Sequence, residues 1–224
     1  MRRPDFAHAD LGPLAPPDLR FLIDRMPQAG GSYQEMAALL QAMPTTLESM
    51  LTSDYVYDLI RDRQRLLLDL SPFLLFSVLL RRSLGRPRSP LERRVVNYLA
   101  NLLTLFMTAE RLHRVKPEDP EPHQHLVALF AGAAGAEPRR QFVTYAHLGN
   151  YALWLTGMQA EWLQARHRHG RRPVSPRYYA EAGRSGFERA ARHRLARELE
   201  LEDVFLRLAL MFDFYRDGLH RMRM

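Results

Sequence analysis

Two stretches, YAHLGNYALWLTG at 145–157 and YYAEAGRSGFERAARH at 178–193, decide how this chain folds. In each, apolar and aromatic residues recur at three- and four-residue intervals, the spacing that gathers them on one face of a helix. Glycines are set into both patterns. A glycine inside a helix costs about 1 kcal/mol relative to alanine, so Gly183 and Gly186 predict a helix over 176–198 pressed closely against the one over 139–156. Between the two stretches lies RHRHGRRP (166–173), which reads as a basic loop.

Working outward, the helix starts are legible. Ser32 with Glu35, Thr45 with Glu48, and Ser89 with Pro90 and Glu92 each fit a capping box, in which a hydroxyl accepts the third residue's amide and the carboxylate returns to the cap. Helices are expected over 17–26, from about 33 and 46, and over 54–65, 72–84, 90–114, 123–134, 139–156, 160–167, 176–198 and 202–221. KPEDPEP (116–122) is a proline-acid loop that no helix survives and the best candidate hinge. No alternating strand pattern and no repeat of fixed period is apparent. The expectation is an all-α, multi-helix bundle around a long central helix at about 90–114. It forms a single domain over 1–224, subdivided into an N-terminal helical unit (1–88) and a basic helical bundle (89–224).

Composition bounds the chemistry. The 224 residues, 46% hydrophobic, suffice for a core without crosslinks, and no cysteine is available for a disulfide or thiolate zinc site. The N-terminal MRRPDFAHADLGPLAPPDL lacks the apolar segment of a secretory signal, and the uncharged runs at 70–80 and 95–109 fall short of the roughly 18 residues of a membrane span. A cytoplasmic protein that does not enter membranes is expected. The net charge of +7 is uneven: residues 1–80 hold seven arginines against ten acids, and all the excess basicity lies beyond them. Lys116 is the sole lysine, a bias that codon usage produces without selection for function.

Metal and cofactor signatures are weak. Glu110 and His113 form one E-x-x-H, the half-motif of a di-iron bundle, with no second copy; the same spacing also describes a surface pair at a helix C-terminus. His123/His125 and His167/His169 are H-x-H pairs that chelate only from extended backbone, and arginines surround the second. His147 beside Tyr151 and Trp154 allows an axial haem ligand, though a buried histidine bonded to a local partner has the same pattern. Expected, then, are no metal, no cofactor and no catalytic residues.

Arginine density is the strongest remaining feature. Ten arginines fall between 166 and 197, interleaved with Tyr178, Tyr179 and Phe187, and a second group flanks the GRPRS turn at 85–89. Arg81, Arg82, Arg86, Arg88, Arg166, Arg168, Arg171, Arg172, Arg177 and Arg184 are the candidate polyanion-binding residues, because guanidinium groups release phosphate counterions and aromatic faces stack bases. Tyr145, His147, Tyr151, Tyr178 and Tyr179 are the candidate lining of a ligand pocket.

G-x-Y-A-L-W-L-x-G-M (149–158), YYAEAGRSGFERAA (178–191), VFLRLALMF (204–212) and SPFLLFSVLLRR (71–82) together resemble an uncharacterised family of bacterial all-helical proteins. Gln159 and Ala160 stand where that family carries an aromatic residue and a proline. The resemblance implies a discrete bacterial domain and brings no activity with it.

Three readings follow. The leading one is a non-enzymatic binding or regulatory protein acting through protein contacts, with a protein partner or self-association. The alternatives are a nucleic-acid or polyanion binder using the arginine-rich half, and a small-ligand carrier or enzyme with a Tyr/His-lined pocket.

Overall fold

The computed structural model describes residues 3–12, 14–24, 32–61, 70–108, 133, 135–169 and 175–222, with His169 described in backbone only. These residues form helices α1 (Pro16–Ile23), α2 (Tyr33–Ala42), α3 (Pro44–Leu51), α4 (Asp54–Arg61), α5 (Pro72–Leu84), α6 (Pro90–Phe106), α7 (Pro138–Met158), α8 (Ala160–His169), α9 (Pro176–Ala191), α10 (Arg194–Glu198), α11 (Glu202–Leu210) and α12 (Phe212–Arg221). No strand occurs among the described residues, and no helix among them is long and apolar enough to cross a membrane.

Side-chain caps start most of the long helices. Ser32 completes a full box with Glu35, Ser71 accepts the Leu74 amide at 3.1 Å, and Ser175 accepts that of Tyr178 at 3.1 Å. At α6 the box is shifted by one residue: Ser89 accepts the Glu92 amide at 3.1 Å, while the Glu92 carboxylate takes the Arg88 N–H at 2.7 Å. The box expected at Thr45 and Glu48 does not form. α3 starts at Pro44 without a side-chain cap, because Glu48 is drawn into a buried pair with Arg81.

Other boundaries also differ from expectation. α6 ends at Phe106 with Met107 as its cap, short of 114. The helix expected over 123–134, the KPEDPEP loop and the Glu110/His113 pair lie outside the described residues. The helix expected over 176–198 is two, since His193 caps α10 by accepting the Leu195 amide on Nδ1 at 3.2 Å. α10 closes at once: Leu201 N–H reaches Ala196 O at 2.7 Å and Glu200 N–H reaches Arg197 O at 3.0 Å, a Schellman closure that places Glu200 at φ 57°. The helix expected over 202–221 bends at Met211, where φ is −107° and ψ 29°. Met211 N–H bonds Arg207 O at 2.9 Å to close α11, and Tyr215 N–H bonds Met211 O at 3.1 Å to open α12.

α7 and α9 make the most extensive contact in the molecule. A Cβ added at Gly186 would stand 2.9 Å from both Gly149 N and Tyr145 O, so the two backbones touch. A Cβ added at Gly149 would stand 2.6 Å from the Phe187 ring, and one at Gly183 would stand 2.6 Å from Phe212. Around this junction the fully buried Phe142, Phe187, Phe205, Phe212 and Tyr98 form a continuous aromatic core. Tyr98 OH donates to Asn150 Oδ1 at 2.8 Å, tying α6 to α7, and burial pushes its pKa far up. A second cluster, including Leu19, Leu22, Leu40, Leu51, Leu74 and Val78, is shared among α1–α5. Buried Asp18 accepts the Ser71 amide at 2.8 Å and its hydroxyl at 2.6 Å, which fixes α1 against the start of α5.

Two consequences are testable. Gly186→Leu drives a side chain into the α7 backbone, and overpacking of that kind costs about 3 kcal/mol or more, read as a lower urea midpoint; an unchanged midpoint would show that the helices are not in contact. His193 has its pKa lowered, first by burial and second by the Arg194 guanidinium, so folding favours the neutral ring. Stability tied to it is therefore full above the ordinary value of about 6.5 and is lost as pH falls through the depressed folded value, where protonation also removes the capping acceptor. His193→Asn keeps a capping oxygen and should show a shallower acid loss in melts across that window than the parent.

Candidate binding surface

The arginine set divides by environment. Arg81 is no surface cation: its side chain is 0% exposed, Nε and Nη2 donate to the two Glu48 oxygens at 2.8 Å each, and Nη2 also reaches Asn97 Oδ1 at 2.9 Å. Nη1 donates to Ser77 O at 3.1 Å. With its hydrogen bonds committed inside the protein, Arg81 has nothing to offer an external phosphate, which corrects its place among the polyanion candidates. It joins α3, α5 and α6 instead.

Most of the other described candidates already have anions or rings. Arg82 pairs with Asp54 and lies 5.0 Å from the Tyr57 ring centroid. Arg166 stacks 5.1 Å over Trp162. Arg177 bonds Glu181 at 2.7 Å, a contact that raises its pKa further. Arg184 pairs with Asp213, which also holds Arg216 at 2.7 Å. Arg86, Arg88 and Arg168 are exposed and have no acidic partner among the described residues. Arg171 and Arg172 lie outside them.

Nor do the two arginine groups meet in one cleft. Arg177 and Arg184 line a cleft of about 510 Å³ with Arg216, His220, Asp213 and Asp217, between the end of α7, α8, α9 and α12. Arg86 and Arg88 line a different one, of about 740 Å³, with Arg207 and Glu92.

Of the five residues expected to line a ligand pocket, His147, Tyr151, Tyr179 and Tyr178 neighbour one another in series, while Tyr145 is engaged by Arg189. His147 stacks on Tyr151 with centroids 6.3 Å apart and meets Phe106 edge-on at 6.0 Å. Burial and the neighbouring Tyr179 raise the Tyr151 pKa. Tyr145 faces the other way, with the Arg189 guanidinium 5.4 Å from its centroid, and Tyr178 packs edge-on against Tyr179 at 6.1 Å. None of the five lines the clefts bounded by described residues. His167 lies within α8 and not in the loop expected for it. Among the described residues no group of three His, Asp or Glu is placed to hold a metal ion.

The surface that sequence patterning misses lies on α11 and α12. Leu206, Leu210 and Phe214 are 44%, 78% and 41% exposed. They recur every fourth residue on either side of the Met211 bend, the spacing of one helical face, and all three face solvent. Beside them runs the 740 Å³ groove, whose walls are α11–α12 on one side and the turn at 85–89 on the other. Leu84, Pro87, Val96, Met211 and Phe214 supply its apolar lining, and Arg86, Arg88, Arg207 and Glu92 its charged part. Arg207 reaches Glu92 only at 3.4 Å and leaves its buried Nε–H without an acceptor. The signal was present in VFLRLALMFDFY (204–215), too apolar for a helix with one buried face.

Compared with known proteins, the chain matches no family model, no curated protein and no solved structure.

Arg81 and Arg82, adjacent in sequence, should behave oppositely. Arg81→Met strands Glu48 in the interior and should cost roughly 3 to 5 kcal/mol in chemical denaturation. Arg82→Met, at an exposed pair, should cost less than about 1 kcal/mol. Equal losses would mean that the Arg81–Glu48 pair is not buried in solution.

Proposed function

We propose that this chain is a non-enzymatic binding or regulatory protein that acts through protein contacts, and that α11, α12 and the turn at 85–89 form its contact face. The observation that carries this reading is the line Leu206, Leu210 and Phe214. Single exposed apolar residues are ordinary, whereas a contiguous apolar stripe with a polar rim is characteristic of an interaction site. Its setting supports the same reading. The opposite face of α11–α12 carries Phe205, Leu208, Phe212 and Tyr215 into the core, so the stripe is held rigidly and a partner need not order it.

The shifted groups also favour binding over catalysis. Tyr98 and His193 serve a core hydrogen bond and a helix cap, and the Tyr151 and Tyr215 shifts come first from burial. They do not converge on one cleft, as an acid and a base working together would have to.

Polyanion binding is the second reading, favoured by Arg86, Arg88, Arg168 and Arg192, which are exposed and have no acidic partner among the described residues. A photo-crosslinking residue at position 210 in cells separates the two. Protein contact predicts a discrete protein adduct that survives nuclease and is absent when the probe stands at position 168. Adducts lost on nuclease treatment would favour the second reading, as would a nucleic-acid Kd tighter than the nonspecific range of about 10⁻⁴ to 10⁻⁶ M at physiological salt.

A further inference from the structure

Three clefts are bounded by described residues, and their charges set them apart. In the cleft beside α8, Arg184 and Arg216 share Asp213, Arg216 also bonds Asp217 at 2.8 Å, and Arg177 is closed off by Glu181. The third cleft, lined by Asp10, Arg94, Arg197, Glu200, Glu202 and Asp203, holds more acids than bases. Of the three, the groove between α11–α12 and the 85–89 turn has the largest cationic excess beside apolar residues: Arg86, Arg88 and Arg207 stand against Glu92, whereas the three arginines of the cleft beside α8 face Asp213 and Asp217. Glu92 is already engaged twice, by the Arg88 N–H at 2.7 Å and by Arg207 at 3.4 Å, so the Arg86 and Arg88 guanidiniums keep their charge for an incoming group.

From this complementarity we infer that the groove docks an amphipathic helix from a partner protein, apolar on the face it presents and acidic along its flank. The inference rests on the reading of the chain as a protein-contact module and names the kind of partner. A helix is the occupant that fits because the receiving surface is itself helical. From Leu206 through Leu210 to Phe214 is eight residue steps, about 12 Å at 1.5 Å per residue, which matches apolar anchors at i, i+4 and i+7 of a facing helix. The partner's acids fall beside the 85–89 turn, where planar guanidiniums can take carboxylates in bidentate fashion. A basic helix of the same shape would meet Arg86 and Arg88 as like charges.

The test uses synthetic peptides and the full chain. A fluorescein-labelled peptide of about 16 residues, roughly 24 Å as a helix, carries leucine at the anchor spacing and glutamate elsewhere. Two counterparts replace every glutamate by lysine or place a proline at the centre. Fluorescence anisotropy should show saturable binding of the glutamate peptide, at least tenfold tighter than either counterpart. Arg86→Glu with Arg88→Glu should reverse the preference between the acidic and basic peptides, and Leu210→Ser should weaken the acidic one about tenfold or more. Because these three positions are exposed, the variants should melt as the parent does.

Equal binding of the acidic and basic peptides, or binding by neither, would overturn the inference. So would equal binding of the proline peptide, or displacement of the acidic peptide by a single-stranded DNA of the same net charge. A protein adduct at position 210 together with failure of the acidic peptide would sink the inference alone. Absence of both would sink the reading beneath it.

Discussion

The contact on which the rest of the molecule depends is the touching of two helix backbones, α7 and α9, at Gly149 and Gly186. With no room for a Cβ at either position, the pair of helices approaches closely enough for Phe187 to lie against the vacant side of Gly149. Phe187 then stacks on Phe205 at 5.8 Å and meets Phe212 at 6.4 Å, which carries the junction into α11 and α12. Two more glycines continue the chain of close contacts: Gly157 of α7 faces Leu219, and Gly218 of α12 faces Leu84 of α5. The face that α11–α12 turn to solvent is therefore set from within. Once Phe205, Leu208, Phe212 and Tyr215 are committed to the core, helical periodicity leaves Leu206, Leu210 and Phe214 outside.

Arginine plays two opposed electrostatic parts here, and burial decides between them. At Arg81 the guanidinium is out of water, so its bonds to Glu48, Asn97 and Ser77 O have to be nearly complete. Such a pair adds little net stability over an apolar replacement, but it specifies how α3, α5 and α6 must meet, since any other arrangement leaves a buried charge unpaired. The arginines of α9, α10 and α12 are mostly solvent-facing and are matched locally, as in Arg194 with Glu198 at 3.0 Å and Arg197 with Glu202 at 3.8 Å. Exposed pairs of this kind are worth well under about 1 kcal/mol each. Their collective effect is to cancel much of the positive field that the composition implies; among the described residues Arg86, Arg88, Arg168 and Arg192 are exposed without an acidic partner.

The all-helical class and the α7–α9 packing were legible in the sequence because both rest on local physics: periodicity, hydroxyl caps and the cost of glycine in a helix. Ser32, Ser71, Ser89 and Ser175 act where their chemistry says they should. What escaped depends on long-range choices. Thr45 and Glu48 have the spacing of a capping box, but a buried arginine arriving from α5 outcompetes the cap for the carboxylate. The break at His193 was hidden because a histidine that caps through Nδ1 is not among the usual cap residues. The Met211 bend was hidden because neither Pro nor Gly marks it and the apolar pattern runs through VFLRLALMFDFY without a break. Arg81 and Arg82 are indistinguishable as letters, and only the side of α5 on which each falls separates a core residue from a surface one.

The proposed binding surface was illegible for a related reason. Arginine density drew attention to 166–197, where charge is abundant and largely cancelled, and away from 204–215, where apolar residues look like ordinary core. An excess of apolar residues on a helix becomes informative only when the core it must fill is known. Here the core takes one face of α11–α12 and has no room for the rest, because Phe187 and the α7 helix already occupy the space behind it. The uncovered remainder lies next to a cleft in which Arg86, Arg88 and Arg207 stand against Glu92, the largest cationic excess of the three clefts described above. Affinity at such a surface would come from burying Leu206, Leu210 and Phe214, each worth about 1.5 to 3 kcal/mol if fully covered, while Arg86 and Arg88 would contribute mainly to the choice of partner and the speed of encounter.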